Sequence, residues 1–252
     1  MNEIDSNKVL ESYEIKAKAH NDINAVLDAG NSESAKRANL LHDYFSKKAI
    51  LKYLQPNQKD IVLDFGTGVG RLSSFLSNKV GEIHGIDNSP AMLAVADNSK
   101  KERGDKSSYH LFDLKNLPFD DKKFNKVFSY WVLASISDEN LELIFSEINR
   151  CLSANGYFYF FEQVANTALA EGGVHKKRTS EEYTALCLRH DFEIIKNEPI
   201  QRMPSYAIGY WKKLKFLPEW TLSFFYILEK RTLNRKKEHI DYTTNAFVCR
   251  KK

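Results

Sequence analysis

The chain lacks the raw material of a secreted, metal-built or membrane-spanning protein. Its three cysteines, Cys151, Cys187 and Cys249, are scattered over 252 residues, and none sits in a Cys-x-x-Cys pair. An odd, dispersed set argues against both a disulfide framework and a thiolate zinc site, and free thiols suit the cytoplasm, the expected location. The seven histidines show no metal-ligand spacing, so no metal is expected. No apolar run approaches the ~18–20 residues of a membrane span. The opening MNEIDSNKVLESYEIK has no basic head before an apolar stretch, so no secretory signal is expected. The Gly-Lys-Ser/Thr triplet of a phosphate-binding loop is also missing.

What is present is an ordinary globular balance, 42% apolar and 28% charged, with an uneven charge distribution. Residues 201–252 hold twelve Lys and Arg against four acids, while the first 200 residues are net negative. Such a basic end can meet nucleic acid, anionic lipid or a phosphorylated acceptor, or be solvated surface.

Residues 1–59 read as helical. Leu40, Leu41, Phe45, Ala49, Ile50 and Tyr53 recur at helical spacing within 32–54, and Pro56 closes the element. From residue 60 the pattern alternates. Strands are predicted at 61–66, 82–87, 107–113, within 126–134 and at 157–162, with helices at 71–79, from Ser89-Pro90 onward and at 138–152. A loop covers 163–178, then come a helix opened by the Thr179/Glu182 capping box, a sixth strand at 191–200 and a seventh at 243–251. This order predicts a doubly wound α/β fold with a seven-stranded, mostly parallel sheet. The expected organisation is an N-terminal helical lid (1–59), an α/β core (60–200), a helical insertion forming an acceptor wall (201–240) and a last strand returning to the sheet (241–252). Helices and insertion are expected to pack over one edge of the sheet.

The sharpest local feature is VLDFGTGVGR, 62–71, in which Gly66, Gly68 and Gly70 lie between a strand and a helix. Glycine there lets the backbone turn tightly and approach a ligand at the carboxyl edge of the sheet. Asp87 ends the second strand twenty-one residues after Gly66, where a carboxylate can accept from both hydroxyls of a ribose. The bland alternative is that Asp87 only caps the helix behind it. A dinucleotide fingerprint requires Gly-x-Gly-x-x-Gly. Here the third glycine comes one residue early and Arg71 takes its place, which makes a dehydrogenase a distant reading.

These segments resemble the class I S-adenosylmethionine-dependent methyltransferases, most closely the broad group acting on small molecules, sugars or lipid-linked acceptors. DFGTGVGR (64–71) is similar to the first motif, GIDNSPAML (85–93) to the second, FDLKNLPFDDKKFNKVFS (112–129) to the third block and fourth strand, and ANGYFYFFE (154–162) to the fifth-strand approach. The resemblance implies S-adenosylmethionine as cofactor and S-adenosylhomocysteine as product. It places Gly66, Thr67 and Gly68 beneath the methionine portion and Asp64 near its amino group. Asp87 with Asn88 would lie at the ribose, Met92 on one adenine face, Asp113 and Leu114 at the adenine edge, and Tyr130 on the methyl side. Aromatic faces, Tyr130 and Trp131 among them, favour a sulfonium. The Asn/Asp-Pro-Pro-Tyr/Phe segment of enzymes that methylate base or glutamine amino groups is absent, and SYWVLAS (129–135) stands there instead.

A sulfonium donor needs positioning more than it needs a base, but a hydroxyl acceptor needs both. Glu162 at the end of the fifth strand is one candidate, against a reading as a solvent-facing strand-end acid. His42 in the helix expected over the site is a second, against a surface histidine. His175, with Lys176, Lys177 and Arg178 as anion-binding neighbours, is a third, against a solvated loop. The expected reaction is methyl transfer to oxygen or nitrogen of a small, anionic or glycan-like acceptor, by a monomer or homodimer. An RNA methyltransferase using the basic C-terminal region and a non-catalytic cofactor-binding subunit are the alternatives. KKLKFLPEWTLSFFYILEK (212–230), rich in bases and aromatics, reads as packing plus acceptor wall, or as a weak peripheral membrane contact.

Overall fold

The computed structural model describes residues 4–20, 22–27, 32–203, 205–233 and 242–252. Residues 1–3, 21 and 28–31 of the expected lid, 204 and 234–240 of the expected insertion, and 241 of the last segment lie outside the described residues.

Two helices lead, α1 (Ser6–Ala19) and α2 (Glu33–Leu54). Ser32 caps α2 by accepting from Ala35 N, and Gln55 in the left-handed region, just before Pro56, ends it. Then β1 (Ile61–Phe65), α3 (Arg71–Leu76), β2 (Glu82–Asp87), α4 (Pro90–Arg103) and β3 (Ser108–Leu111) wind one way. The chain returns through β4 (Phe124–Tyr130), α5 (Asp138–Cys151) and β5 (Leu152–Ala165). A hairpin, β6 (Leu169–Glu171) and β7 (His175–Lys177), precedes α6 (Ser180–Arg189) and β8 (Phe192–Met203). Helices α7 (Tyr206–Lys213) and α8 (Leu222–Thr232) come before the last strand, β9 (Tyr242–Lys251).

The seven main strands lie in the order β3-β2-β1-β4-β5-β9-β8, all parallel except β9, which runs antiparallel to both neighbours. Strand order reverses between β1 and β4, and a cleft opens at such a reversal, beyond the carboxyl ends.

Alternation along the central strands fills both faces. Leu63, Phe65, Val127, Phe158 and Phe160 point to one side, where Leu141, Ile144, Phe145 and Ile148 of α5 and Tyr183, Leu186 and Cys187 of α6 cover them. Val62, Phe128, Tyr130, Tyr159 and Phe161 point to the other, under Ala49, Ile50, Tyr53 and Leu54 of α2 and Leu72 and Leu76 of α3. Each large apolar side chain taken from water this way contributes about 1.5–3 kcal/mol, so the sheet is a rigid platform for whatever its ends present. The first half of α2 continues past the sheet and packs Ala38, Leu41 and Phe45 against Ala207, Ile208 and Trp211 of α7 and Leu222 and Phe225 of α8. The expected meeting of N-terminal helices and insertion is therefore present.

The fourth strand falls in the expected run: β4 enters 126–134 and stops at Tyr130, where Trp131 turns into the left-handed region at φ 58°. Two segments differ from the sequence pattern. The 163–178 loop contains the β6–β7 hairpin. Phe216, Trp220, Phe224 and Ile227 do not pack inward but face solvent.

Candidate active site

A cleft with about 1030 Å³ of empty space, open solvent at its mouth included, lies at the carboxyl ends of β1, β2 and β4. Its floor is the turn after β1. Gly66 N and Thr67 N both donate to Ile86 O, at 2.9 and 2.8 Å, and Gly68 N donates to Asp87 Oδ2 at 2.8 Å. The turn is thus stitched to the tip of β2. A Cβ on Gly66 (φ 76°) would stand 2.4 Å from Val132, and one on Gly68 (φ 54°) 2.7 Å from Val26, so both positions need a bare backbone.

Asp87 closes the other side. Its Oδ1 accepts from Ser89 N at 3.0 Å and its Oδ2 from Gly68 N. Burial pushes the Asp87 carboxyl above its ordinary range, against the pull of the Ser89, Gly68 and Asn88 N–H groups. The helix-capping and ligand-facing readings of this residue therefore coexist. Asp64 is buried beneath the turn, accepts Thr67 Oγ1 (2.9 Å) and Ser73 Oγ (2.7 Å), and is pushed up to about 6 by desolvation.

Of the residues expected at the cofactor, Asp64, Gly66, Thr67, Gly68, Asp87, Asn88, Met92, Leu114 and Tyr130 all line the cleft. Asp113 is exposed, its Oδ1 accepting from Lys115 N at 3.1 Å, and only its neighbours Phe112 and Leu114 line the cavity.

The three acid–base candidates separate. Glu162 is not a solvent-facing acid. It is fully buried, and its Oε1 accepts from Val132 N (2.7 Å) and Leu133 N (2.8 Å), holding the turn after β4. Its Oε2 is buried without a hydrogen-bond partner, and desolvation pushes the carboxyl up to about 7. It does not line the cleft; it sets Val132, which does and which faces Gly66. His42 stands behind Trp131, ring edge to ring face at 5.1 Å, with Gln201 Nε2 3.3 Å from its Nδ1. Burial, then Arg71 and Lys212, push it down to about 4, which leaves a neutral, weak base off the cleft lining. His175 shares a 2.9 Å hydrogen bond through Nδ1 with Ser135 Oγ, and Ser135 lines the cleft.

The bases beside His175 do not form an anion site. Lys176 pairs with Asp138 at 2.5 Å. The Arg178 guanidinium is spent on Asp138 (2.7 Å) and the carbonyls of Leu133 (2.9 Å) and Ile136 (2.7 Å). Lys177 is buried, 4.2 Å from the Tyr242 ring centroid. Nor does any described residue of 201–240 line the cleft. Its remaining wall comes from Ser6, Val9 and Tyr13 of α1 and from Val26 and Leu27, between α1 and α2. Glu14 of α1 accepts Ser89 Oγ at 2.6 Å and Ala91 N at 3.2 Å, which fastens the helix to the start of α4. Sequence reasoning missed these residues; the only local signal is the i, i+4 pair Val9/Tyr13. It also missed the pairing of Arg71, whose Nη1 donates to Asp43 (3.0 Å) and Ser46 (2.7 Å) of α2 while the residue lines the cleft.

Comparison with known proteins agrees with this geometry. Residues 63–160 match a family described as "Methyltransferase domain". Over 129 residues the chain is 26% identical to phosphoethanolamine N-methyltransferase 3 of Arabidopsis thaliana, covering 48% of this chain and 25% of that protein's length. The [4+2]-cyclase SpnF superposes with a TM-score of 0.70 at 16% identity, covering 100% of this chain and 97% of that one. Geranyl diphosphate C-methyltransferase from Streptomyces coelicolor A3(2), solved with Mg2+, geranyl diphosphate and S-adenosyl-L-homocysteine, superposes at 0.64 with 12% identity, covering 90% and 88%. At these identities the structural likeness speaks for the fold alone, and the matched sequence segment spans β1 to the middle of β5, the elements that build the cleft. Residues 63–160 thus carry a methyltransferase domain, on the fold of S-adenosylmethionine-dependent methyltransferases.

Proposed function

We propose that this chain binds S-adenosylmethionine in the cleft and methylates an oxygen or nitrogen of a small acceptor. The observation that carries the reading is the Asp87 carboxylate at the tip of β2. It is held by backbone N–H groups on both oxygens and lines the cleft beside a turn with no room for a Cβ at Gly66. Vicinal ribose hydroxyls match that pair. Met92 and Leu114 supply apolar surface for a base, and Asp64 with Thr67 supplies polar groups for an amino acid portion. When bound, the cofactor supplies an activated methyl that an in-line displacement moves to the acceptor, leaving S-adenosylhomocysteine.

The chain's own work is orientation and exclusion of water. Tyr130, stacked on Phe161 at 5.1 Å, and Trp131 present aromatic surface at the far side of the cleft, suited to a positive sulfonium. For a hydroxyl acceptor, Ser135 backed by His175 is the proton-accepting pair at the lining; Glu162 and His42 act as positioning residues. The anionic acceptor loses its support, because Lys176 and Arg178 are paired and Arg71, the cation among the described lining residues, is held by Asp43. A small acceptor with apolar surface fits the wall formed by Val9, Tyr13, Leu27 and Ile136.

Calorimetric titration with S-adenosylmethionine, S-adenosylhomocysteine and NAD tests the cofactor reading. Binding of the two sulfur nucleosides and not of NAD is expected. Binding of NAD alone, or of none, would remove it. Methyl transfer from labelled cofactor to small-molecule pools tests the reaction separately.

A further inference from the structure

Helices α7 and α8 carry two opposed faces. The inner face is complete: Trp211 and Phe225 are buried against Leu41 and Phe45 of α2, and Trp211 Nε1 donates to Arg37 O at 2.7 Å. On α8 the buried residues are Leu222, Phe225, Glu229 and Thr232. At helical spacing Phe224, Ile227 and Arg231 fall on the opposite side. That side is apolar and bare. Phe216 and Trp220 are 80% exposed, Phe224 62%, Tyr210 55% and Ile227 50%. An apolar ridge of this kind on an otherwise well-packed protein marks a contact surface.

The ridge is also held in place. The Arg37 guanidinium lies 3.8 Å over the Trp211 ring and donates to Leu214 O (3.1 Å) and Leu217 O (3.2 Å). Two residues on either side of Phe216 are thereby tied to α2 while Phe216 projects into solvent. Thr221 N and Oγ1 both bond Pro218 O, at 3.0 and 2.7 Å, fixing the turn that presents Trp220.

The charge around the ridge has one sign. Lys213, Lys215 and Arg231 are exposed and Lys212 is half-buried, whereas the single exposed acid between 206 and 232 is Glu219. The lobe comes after β8, whose end lies on the same edge of the sheet as the cleft. Aromatic side chains ringed by lysines match the interface of an anionic bilayer: the rings enter the headgroup layer and the ammonium groups meet lipid phosphates. No helix of the described residues is long and apolar enough to cross a membrane, so the contact is superficial. An aliphatic Ile227 within the ridge has no stacking role on nucleic acid, which favours lipid over RNA.

We infer that the α7–α8 lobe docks this protein on anionic lipid bilayers through Phe216, Trp220, Phe224 and their flanking lysines. The test uses the full chain and sedimentation with vesicles of phosphatidylcholine plus phosphatidylglycerol, or of phosphatidylcholine alone. Sedimentation with the anionic vesicles only is expected. The exposed triple variant F216S/W220S/F224S should weaken it by at least about tenfold, and K213E/K215E should abolish it at low salt. Trp220 is the most exposed of the three tryptophans, so emission should shift to the blue on binding. W220F should keep sedimentation and lose most of that shift. Cofactor titration of each variant reports folding. Three results would overturn the inference: no sedimentation with anionic vesicles; equal sedimentation of the triple variant; or an oligomer in light scattering, or an RNA oligonucleotide complex, that the triple variant destroys while vesicle binding is absent.

Discussion

Two turns face each other across the cleft, and they are built by opposite means. The turn after β1 bends at glycines, Gly66, Gly68 and Gly70, all in the left-handed region, and Asp87 at the next strand tip fastens it. The turn after β4 has no glycine. It begins with Trp131 in the left-handed region, and a buried carboxylate from β5, Glu162, collects the N–H groups of Val132 and Leu133. The first turn is specified by the residues in it, the second by a residue thirty positions away. They meet where Val132 occupies the space a Gly66 side chain would need.

Removing the carboxylate should have the larger effect on stability. Glu162→Ala leaves two N–H groups without their acceptor at about 1–3 kcal/mol each, so a loss of about 2–5 kcal/mol is expected in chemical denaturation. Glu162→Gln keeps an acceptor oxygen and should recover most of it. An alanine variant as stable as the parent would mean the second turn stands without its carboxylate.

Gly66→Ala comes next. A left-handed residue with a Cβ costs about 1–2 kcal/mol, and contact with Val132 adds to that. A drop of about 2–3 kcal/mol and weaker cofactor binding are expected, with V132A in the same chain restoring part of both.

The pH dependence is third in size. Glu162 ionises in the native protein only near pH 7, well above its ordinary value. The native state therefore holds this proton over a window where the unfolded chain has released it. Stability from this group falls as pH rises from about 4.5 towards 7, by about 2.5 kcal/mol. Asp64, pushed up to about 6, acts in the same direction. His42, pushed down to about 4, acts in the opposite one, its contribution rising with pH between about 4 and 6.5. The difference curve between parent and Glu162→Gln isolates the first; a flat difference over pH 4.5–7 would contradict the assignment.

The smallest effect belongs to Gly68→Ala. Its Cβ would meet only the end of the Val26 side chain, so about 1–2 kcal/mol is expected. A larger loss than at Gly66 would show that Val26, not Val132, sets the floor of the cleft.

This contrast also explains what the sequence disclosed. The glycine turn, Asp87, the Thr179/Glu182 capping box and the amphipathic face of α5 are local patterns, and all are found where the spacing puts them. Glu162, Lys176 and Arg178 sit at suggestive positions, but their partners are distant in sequence: Val132 and Leu133 for the first, Asp138 and nearby carbonyls for the others. No periodicity encodes such pairs, so a buried structural carboxylate and a solvent-facing catalytic one look the same in a strand ending YFYFFE. The wall supplied by α1 and the outward aromatics of α7–α8 were hidden for the same reason: burial depends on which helix packs where.

The central claim is that the carboxylate of Asp87 seats the ribose. Titrating S-adenosylhomocysteine into Asp87→Ala and Asp87→Asn beside the parent tests it directly. Two charge-assisted hydrogen bonds, at about 1.5–3 kcal/mol each, correspond to about 100-fold or more in affinity. That loss is expected in Asp87→Ala, with a substantial part of it in Asp87→Asn and the fold intact. Unchanged affinity in a folded Asp87→Ala protein would contradict the account.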